Sequence, residues 1–452
     1  MKMKMKMKMK INKNTVGVVG LGYVGLTLAT VLAESGYKII GIEKRKEVVD
    51  LTNKGIPHFS ETGLRESLSR SVNKREFVAA EKFDRDSSCQ IYIITVGTPL
   101  DDNGNARLDM VRNASKQVAE NMADGALVIL RSTLKLGTSK EVVLPILRKT
   151  KKKFHLAMCP ERTLEGNALN ELRTLPQIVG ADDEESREKA SKFFKNITSS
   201  VIQVSSFETA ELIKLVDNTY RDVQFGFANE VAKICDAYSL NAMEVISSGK
   251  LGYSRTNVAI PGLVGGPCLE KDPHILYQSG VDKGIKMEIT KAARSTNEVQ
   301  PIETTNFMVD SLKSRGFSGR IKASILGLAF KGVPETDDLR GSMSLKVLEN
   351  LRNSNCKFDI RLYDPVISNK DLASKFPNDK VCASIDEAID DAMLVVVCNN
   401  HKDFSRLDLI SIKNRMHPKG FIYDYWNHYS HLNNAKFNEF YYALGNSGGS
   451  DL

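Results

Sequence analysis

The 452-residue sequence has no apolar run approaching the ~18 residues that a membrane-spanning helix needs. It has a single tryptophan and no basic run interleaved with aromatics, so the footprint of a nucleic-acid binder is missing. Its seven cysteines, at 89, 159, 235, 268, 356, 382 and 398, are odd in number and scattered, with no C-x-x-C or C-x-H spacing. That pattern excludes a zinc ribbon and a disulfide framework, and no metal site is expected. A reducing cytoplasm suits such a chain, and we expect it there. The opening (Met-Lys)5 alternation lacks the apolar centre of a signal peptide. Residues 1–12 read instead as a disordered extension. Net charge is +8, five of it from the lysines of the first ten residues, so the rest of the chain carries only +3.

What is present is an alternation of strands and helices long enough for two or three domains, with an apolar fraction of 42% to fill their cores. Residues 15–20, Thr-Val-Gly-Val-Val-Gly, read as a short buried strand. Gly20-Leu-Gly-Tyr-Val-Gly25 follows as G-x-G-x-x-G, then a helix over 26–35 and a second strand over 37–42 that stops at Glu43. A bare glycine triplet is a weak signal. Strand, glycines, helix, strand and terminal acid in this order form a dinucleotide fingerprint. The glycines bring the pyrophosphate against the helix N-terminus, where unpaired N–H groups favour an anion. Glu43 accepts hydrogen bonds from both ribose hydroxyls and repels a 2′-phosphate, which argues for NAD over NADP; Lys44 and Arg45 beside it argue the other way.

Further strands over 91–96, 126–130 and 154–158 end at Gly97-Thr98-Pro99, Arg131-Ser132-Thr133 and Cys159-Pro-Glu-Arg162. Ligands of open α/β sheets gather at the carboxyl ends of strands, which makes Thr98, Thr133 and the segment from Glu161 to Glu165 candidates by position. Each threonine serves equally well as a cap or turn. After a strand over 201–204, Ser205 with Glu208 predicts a capping box and a helix to about Tyr238. Leu212, Val216, Tyr220, Val223, Phe227, Val231, Ile234 and Tyr238 make its apolar stripe. At 1.5 Å per residue it spans roughly 50 Å, enough to bridge two domains. Lys214, Asn218 and Arg221 lie on the opposite face, either wet or holding an oxyanion or phosphate.

Residues 261–272, Pro-Gly-Leu-Val-Gly-Gly-Pro-Cys-Leu-Glu-Lys-Asp, predict a loop around Cys268. Lys271 can favour its thiolate. Helical segments follow to about Glu298, and Pro301 precedes another helix. Strands over 321–331, 358–363, 393–398 and 421–424 then repeat the first pattern, with Asp364 where Glu43 stood. The expected fold is α/β: two Rossmann-like doubly wound domains joined by a long central helix and a small all-helical middle domain. The expected boundaries are 13–205, 206–302 and 303–440, with a loose tail over 441–452.

These residues resemble the UDP-glucose/GDP-mannose dehydrogenase family from about 14 to about 430. The motifs carrying the resemblance are Gly-Leu-Gly-Tyr-Val-Gly-Leu at 20–26, Gly-Thr-Pro at 97–99, Ser-Thr at 132–133 and Pro-Glu-Arg at 160–162 with Glu165-Gly166. Lys214 with Asn218, Gly-Gly-Pro-Cys at 265–268 with Lys271-Asp272, and Leu-Ala-Phe-Lys at 328–331 with Arg340 complete them. The sequence departs from the family pattern in lacking prolines over 132–137 and at Glu270 and Met343. The stretches 218–222 and 227–230 look most like the UDP-N-acetylhexosamine branch.

The resemblance implies a four-electron oxidation of a sugar C6 alcohol by two NAD+, with Cys268 as the covalent group, in polysaccharide biosynthesis. It implies that Lys214 and Asn218 stabilise oxyanions, that Asp272 and Glu165 handle protons, and that Thr133 positions water. Gly20, Gly22, Tyr23, Val24, Gly25, Glu43, Thr98, Thr133, Lys271 and Arg340 are then expected around NAD. Glu161, Arg162, Lys214, Asn218, Arg221, Arg255, Gly265 and Lys331 are expected around the UDP-sugar. The long helix is the expected core of a homodimer; neither nucleic acid nor membrane is an expected partner. UDP-glucose as substrate, a two-electron β-hydroxyacid-type dehydrogenase and a non-catalytic NAD-binding regulator are the alternatives.

Overall fold

The computed structural model describes residues 15–84, 89–429, 431, 437 and 439–447. The Met-Lys extension and residues 448–452 lie outside the described residues. Two parallel sheets organise the chain. The first takes β1 (Thr15–Val19), β2 (Lys38–Ile42), β3 (Phe77–Ala80), β4 (Ile91–Ile94), β5 (Ala126–Leu130), β6 (Phe154–Met158), β7 (Gln177–Gly180) and β8 (Val201–Val204). Its order is β3-β2-β1-β4-β5-β6-β7-β8, and only the β6–β7 pair is antiparallel. The strands β1 and β5 are buried at every residue, as strands covered by helices on both faces must be. The second sheet takes β9 (Arg320–Leu326), β10 (Lys357–Tyr363), β11 (Lys380–Val381), β12 (Leu394–Val397), β13 (Phe421–Asp424) and β14 (Tyr441–Ala443). Its order, β11-β10-β9-β12-β13-β14, repeats the 3-2-1-4-5-6 winding of the first six strands of the other sheet.

The chain divides into two compact units, Met1–Asp217 with His274–Ile285 and Asn218–Pro273 with Lys286–Leu452. The helical middle segment therefore contributes to both. Its long helix, Phe207–Ala237, starts one residue later than the predicted capping box. Ser206, not Ser205, caps it, its Oγ accepting from Thr209 N at 3.1 Å.

Three other expectations are corrected. Pro301 lies inside one continuous helix, Glu288–Ser314, at the cost of one i→i−4 bond. Cys268 lies on a single helical turn, Gly266–Leu269, rather than in a loop. Residues 441–447 of the expected tail are structured: β14 pairs in parallel with β13, and Asp236, near the end of the long helix, accepts from Gly445 N at 3.1 Å and Ser447 N at 2.8 Å.

The two faces of the long helix differ in burial. Val216, Tyr220, Phe227, Ile234 and Tyr238 are 46–75% exposed, whereas Lys214 and Asn218 are 7% and 6% exposed. Arg221 is exposed and does not join these two in their burial.

Candidate active site

The first unit holds a cavity of about 550 Å³, lined among others by Gly20, Gly22, Glu43, Arg45, Thr95 and Gly97. Each glycine of the fingerprint has its own reason. Gly20 turns at φ +95°, and a Cβ on Gly25 would sit 1.8 Å from Gly20 O, so neither tolerates a side chain. No atom lies within 4 Å of a Cβ built on Gly22, which leaves the space a ligand's phosphates need. The helix Tyr23–Glu34 that starts there has no side-chain cap and no acid in its first turn, so its N–H groups remain available to an anion.

Glu43, at the carboxyl end of β2, accepts from Leu21 N at 3.2 Å and Arg45 N at 3.1 Å. Burial pushes its carboxyl up, but the Arg45 guanidinium and these N–H groups outweigh it and hold it below the usual range. Arg45 Nε bonds Glu43 Oε1 at 3.2 Å, so the arginine that argued for a 2′-phosphate is engaged by the acid that argues against one. The open glycine, the capless helix and the ionised acid fit NAD.

Tyr23 and Val24, expected around the cofactor, are not among the cavity's lining residues. The Tyr23 hydroxyl bonds Glu61, which also accepts from Gly166 N at 2.7 Å and Ala168 N at 2.9 Å. Glu61 thereby fastens the loop that carries Glu165 to the first turn of the cofactor helix. Thr98 is buried, its Oγ1 donating to Thr133 O at 2.7 Å, and Ser132 Oγ donates to Val96 O at 2.6 Å. These hydroxyls tie the loops after β4 and β5 together, which leaves the partly buried Thr133 as the candidate there for ligand contact.

Glu161, expected around the UDP-sugar, is buried among internal partners. Its carboxylate pairs with Arg131 NH2 at 2.6 Å and accepts from Arg162 N and Thr163 N, both at 2.8 Å. Burial raises its pKa; Arg131, the Thr163 N–H and, more weakly, Lys214 lower it further than burial raises it. Arg162 likewise directs NH2 to Pro176 O at 2.7 Å and NH1 to Asp217 at 3.3 Å.

In the second unit, Cys268 is the exposed thiol of the seven; Cys356 is half-buried and the others are buried. Burial pushes Cys89 and Cys159 up to about 12, which makes them inert at neutral pH. Asp272, fully buried, accepts from Asn218 Nδ2 at 2.6 Å and Lys271 Nζ at 2.5 Å. Lys271 Nζ thus forms an ion pair with Asp272. The turn bearing Cys268 rests on the 338–343 segment: Gly266 N donates to Gly341 O at 2.7 Å, and a Cβ on Gly265 would meet that oxygen at 2.2 Å. Lys331 Nζ lies 5.3 Å from the Phe330 ring centre, and the Arg255 guanidinium 4.7 Å from that of Tyr253. Arg340 pairs with Asp338 at 2.5 Å.

Three buried groups escape sequence reasoning: Arg131, Glu61 and Glu211. Glu211 accepts from Gly137 N at 2.6 Å and from Ser139 N at 2.8 Å, and burial pushes its carboxyl up to about 7. Their partners lie 28 to 107 residues away, beyond any periodic signal.

The parallel sheet, glycine turn and terminal acid define a dinucleotide-binding protein. The chain matches three consecutive domain models of one family: the UDP-glucose/GDP-mannose dehydrogenase NAD binding domain over 14–198, the central domain over 208–299 and the UDP binding domain over 324–431. It is 33% identical over 411 residues to the UDP-N-acetyl-D-mannosamine dehydrogenase of Campylobacter jejuni, covering 86% of this chain and 96% of that one. The solved UDP-D-ManNAc dehydrogenase of Pyrococcus horikoshii superposes with a TM-score of 0.85 at 29% identity, over 96% of this chain and 99% of that one. The UDP-N-acetyl-mannosamine dehydrogenase of Staphylococcus aureus gives 0.81 at 27%, over 96% and 98%. The chain belongs to the UDP-glucose/GDP-mannose dehydrogenase family and is an NAD-dependent oxidoreductase of nucleotide sugars. Among the described residues, no helix is long and apolar enough to cross a membrane.

Proposed function

We propose that this enzyme oxidises the C6 alcohol of a UDP-N-acetylhexosamine, UDP-N-acetyl-D-mannosamine first among them, to the carboxylate. The observation that carries this reading is the single exposed cysteine, four residues before a buried carboxylate that orients the Asn218 amide. The high similarity to UDP-N-acetyl-D-mannosamine dehydrogenases supports the sugar.

NAD+, when bound, supplies the acceptor for a hydride in each of two oxidations. Cys268 keeps the carbon bound between them. Its thiolate forms a C–S bond to the aldehyde carbon while the carbonyl π pair moves to oxygen and takes a proton, giving a thiohemiacetal whose carbon again carries a removable hydride. When that hydride leaves and a base takes the hydroxyl proton, the O–H pair forms the carbonyl and the carbon is a thioester. Water then adds to the carbonyl, a base takes its proton, and the C–S bond breaks with the electron pair returning to sulfur.

Lys214 and Asn218, one turn apart on the long helix, are the donors to the oxyanion. Such a donor is worth about 10²–10³ in rate when preorganised, and the Asp272 carboxylate preorganises Asn218. Asp272 and Glu165 carry protons, and Thr133 orients the water. Lys331, Arg255, Arg221 and Gly265 serve the nucleotide sugar. The exposed stripe Val216, Tyr220, Phe227, Ile234 and Tyr238 is the core of a homodimer interface. The assay is NADH production across UDP-N-acetyl-D-mannosamine, UDP-N-acetyl-D-glucosamine, UDP-glucose and GDP-mannose. The highest kcat/KM is expected with the first, at two NADH per sugar; one NADH per sugar contradicts the reading.

A further inference from the structure

The turn bearing Cys268 is rich in glycine, the residue that loses most freedom on ordering. Gly262, Gly265 and Gly266 flank the thiol, yet covalent catalysis needs it held to within about 0.5 Å. A buried polar network in the second unit grips this segment at three backbone points. Arg294, 3% exposed in the helix Glu288–Ser314, donates NH2 to Val264 O at 3.1 Å and NH1 to Leu269 O at 2.8 Å. These two carbonyls stand on either side of Cys268. Asn229, fully buried on the long helix, accepts from Gly262 N at 3.0 Å and donates to Gly262 O at 3.2 Å.

The grip is itself anchored. Arg294 NH1 pairs with Asp222 Oδ1 at 2.6 Å, with Asp222 fully buried. Asn297 donates to the same Asp222 oxygen at 2.9 Å and to Asp222 O at 3.0 Å, and accepts from Asn229 Nδ2 at 2.9 Å. Two long helices are thus cross-linked by groups that also bind the backbone of one short segment, while Arg294 Nε lies 3.2 Å from Glu298 on its own helix. Burying a guanidinium and a carboxylate gains little stability over apolar residues of the same volume, because desolvation offsets attraction. What the pair supplies that apolar packing cannot is direction: a rigid planar fork that fixes two carbonyls at once.

We propose that Arg294 is the positioning residue for the Cys268 thiol, setting it for attack on the aldehyde without touching substrate, with Asn229 fixing the start of the same segment. This rests on the reading of Cys268 as the covalent group. Lys keeps the charge for Asp222 but has no fork, so Arg294→Lys loosens one of the two carbonyls while leaving the buried pair.

The test compares wild type, R294K, N229S and C268S with UDP-N-acetyl-D-mannosamine and NAD+, each checked by thermal melting. We expect R294K to lose at least tenfold in kcat for acid formation, with KM for the sugar changed less than threefold. Free aldehyde, trapped with semicarbazide, should appear, and the NADH-to-acid ratio should rise above two. N229S should show the same signature more weakly, and it decides the matter should R294K fail to fold. A folded R294K with wild-type kcat and ratio overturns the proposal. So does an R294K slowed equally in the first hydride transfer and in acid formation, with no aldehyde released. Wild-type acid formation in C268S would instead remove the underlying reading.

Discussion

The two α/β units share the order of six strands and place a buried acid at the end of the second, but only one of these acids lines a cavity. Glu43 accepts one backbone N–H on each oxygen, from Leu21 and Arg45, and lies at the edge of a cavity of about 550 Å³. Asp364, 4% exposed, has both oxygens filled by backbone: Leu328 N at 2.7 Å and Ala329 N at 3.0 Å on one, Val366 N at 2.9 Å and Ile367 N at 3.0 Å on the other. The turns differ in the same sense. Gly22 opens onto empty space, whereas a Cβ on Gly327, after β9, would run into Asn399 at 2.6 Å. One winding thus yields a loop open to a dinucleotide and a loop closed by the protein's own amides. Topology assigns the place of an acid; the space beside it tells whether a ligand can reach it.

The sharpest way to break this contrast is Gly25→Val. Its Cβ would collide with Gly20 O, so NADH affinity, read by fluorescence titration, should fall at least a hundredfold. Next, Glu43→Gln should weaken NAD binding about tenfold and narrow the preference over NADP, as expected when one charged hydrogen-bond acceptor is lost. Asp364→Asn should leave NAD affinity unchanged and instead lower unfolding free energy by about 2–4 kcal/mol, because four buried N–H groups lose an ionised acceptor. Equal effects of these two substitutions on NAD binding would erase the distinction drawn between the units.

A smaller effect separates the units by pH. Burial raises the Glu211 carboxyl to about 7 against an ordinary 4.5. Between those values the folded state holds more protons than the unfolded one, so this group's contribution is present at low pH and is lost as pH rises through about 7. Glu211→Gln should flatten the fall in melting temperature between pH 5 and 8, roughly a 3 kcal/mol span at most. An unchanged slope would show that Glu211 does not titrate there.

The glycine fingerprint and the central strands of both sheets were legible because each is local: a run of apolar residues, a fixed glycine spacing, an acid at a strand end; β3, β7, β11 and β14 were not. The faces of the long helix were not. Periodicity finds the stripe of Tyr220, Phe227 and Ile234 but not which side a single chain covers, and here the side carrying Lys214 and Asn218 is the buried one. Pro301 inside a helix and β14 in a presumed tail reflect the same limit, since packing overrides local preference at both. Glu161 and Arg294 are polar residues whose partners come from distant segments, and a charged residue that binds backbone looks in sequence like one that binds substrate.

The most direct measurement of the central claim is the yield of uronic acid and NADH from one nucleotide sugar in wild type and in Cys268→Ser. The account predicts two NADH per acid in wild type and no acid released by the serine variant. Acid formed by that variant at the wild-type rate would contradict it.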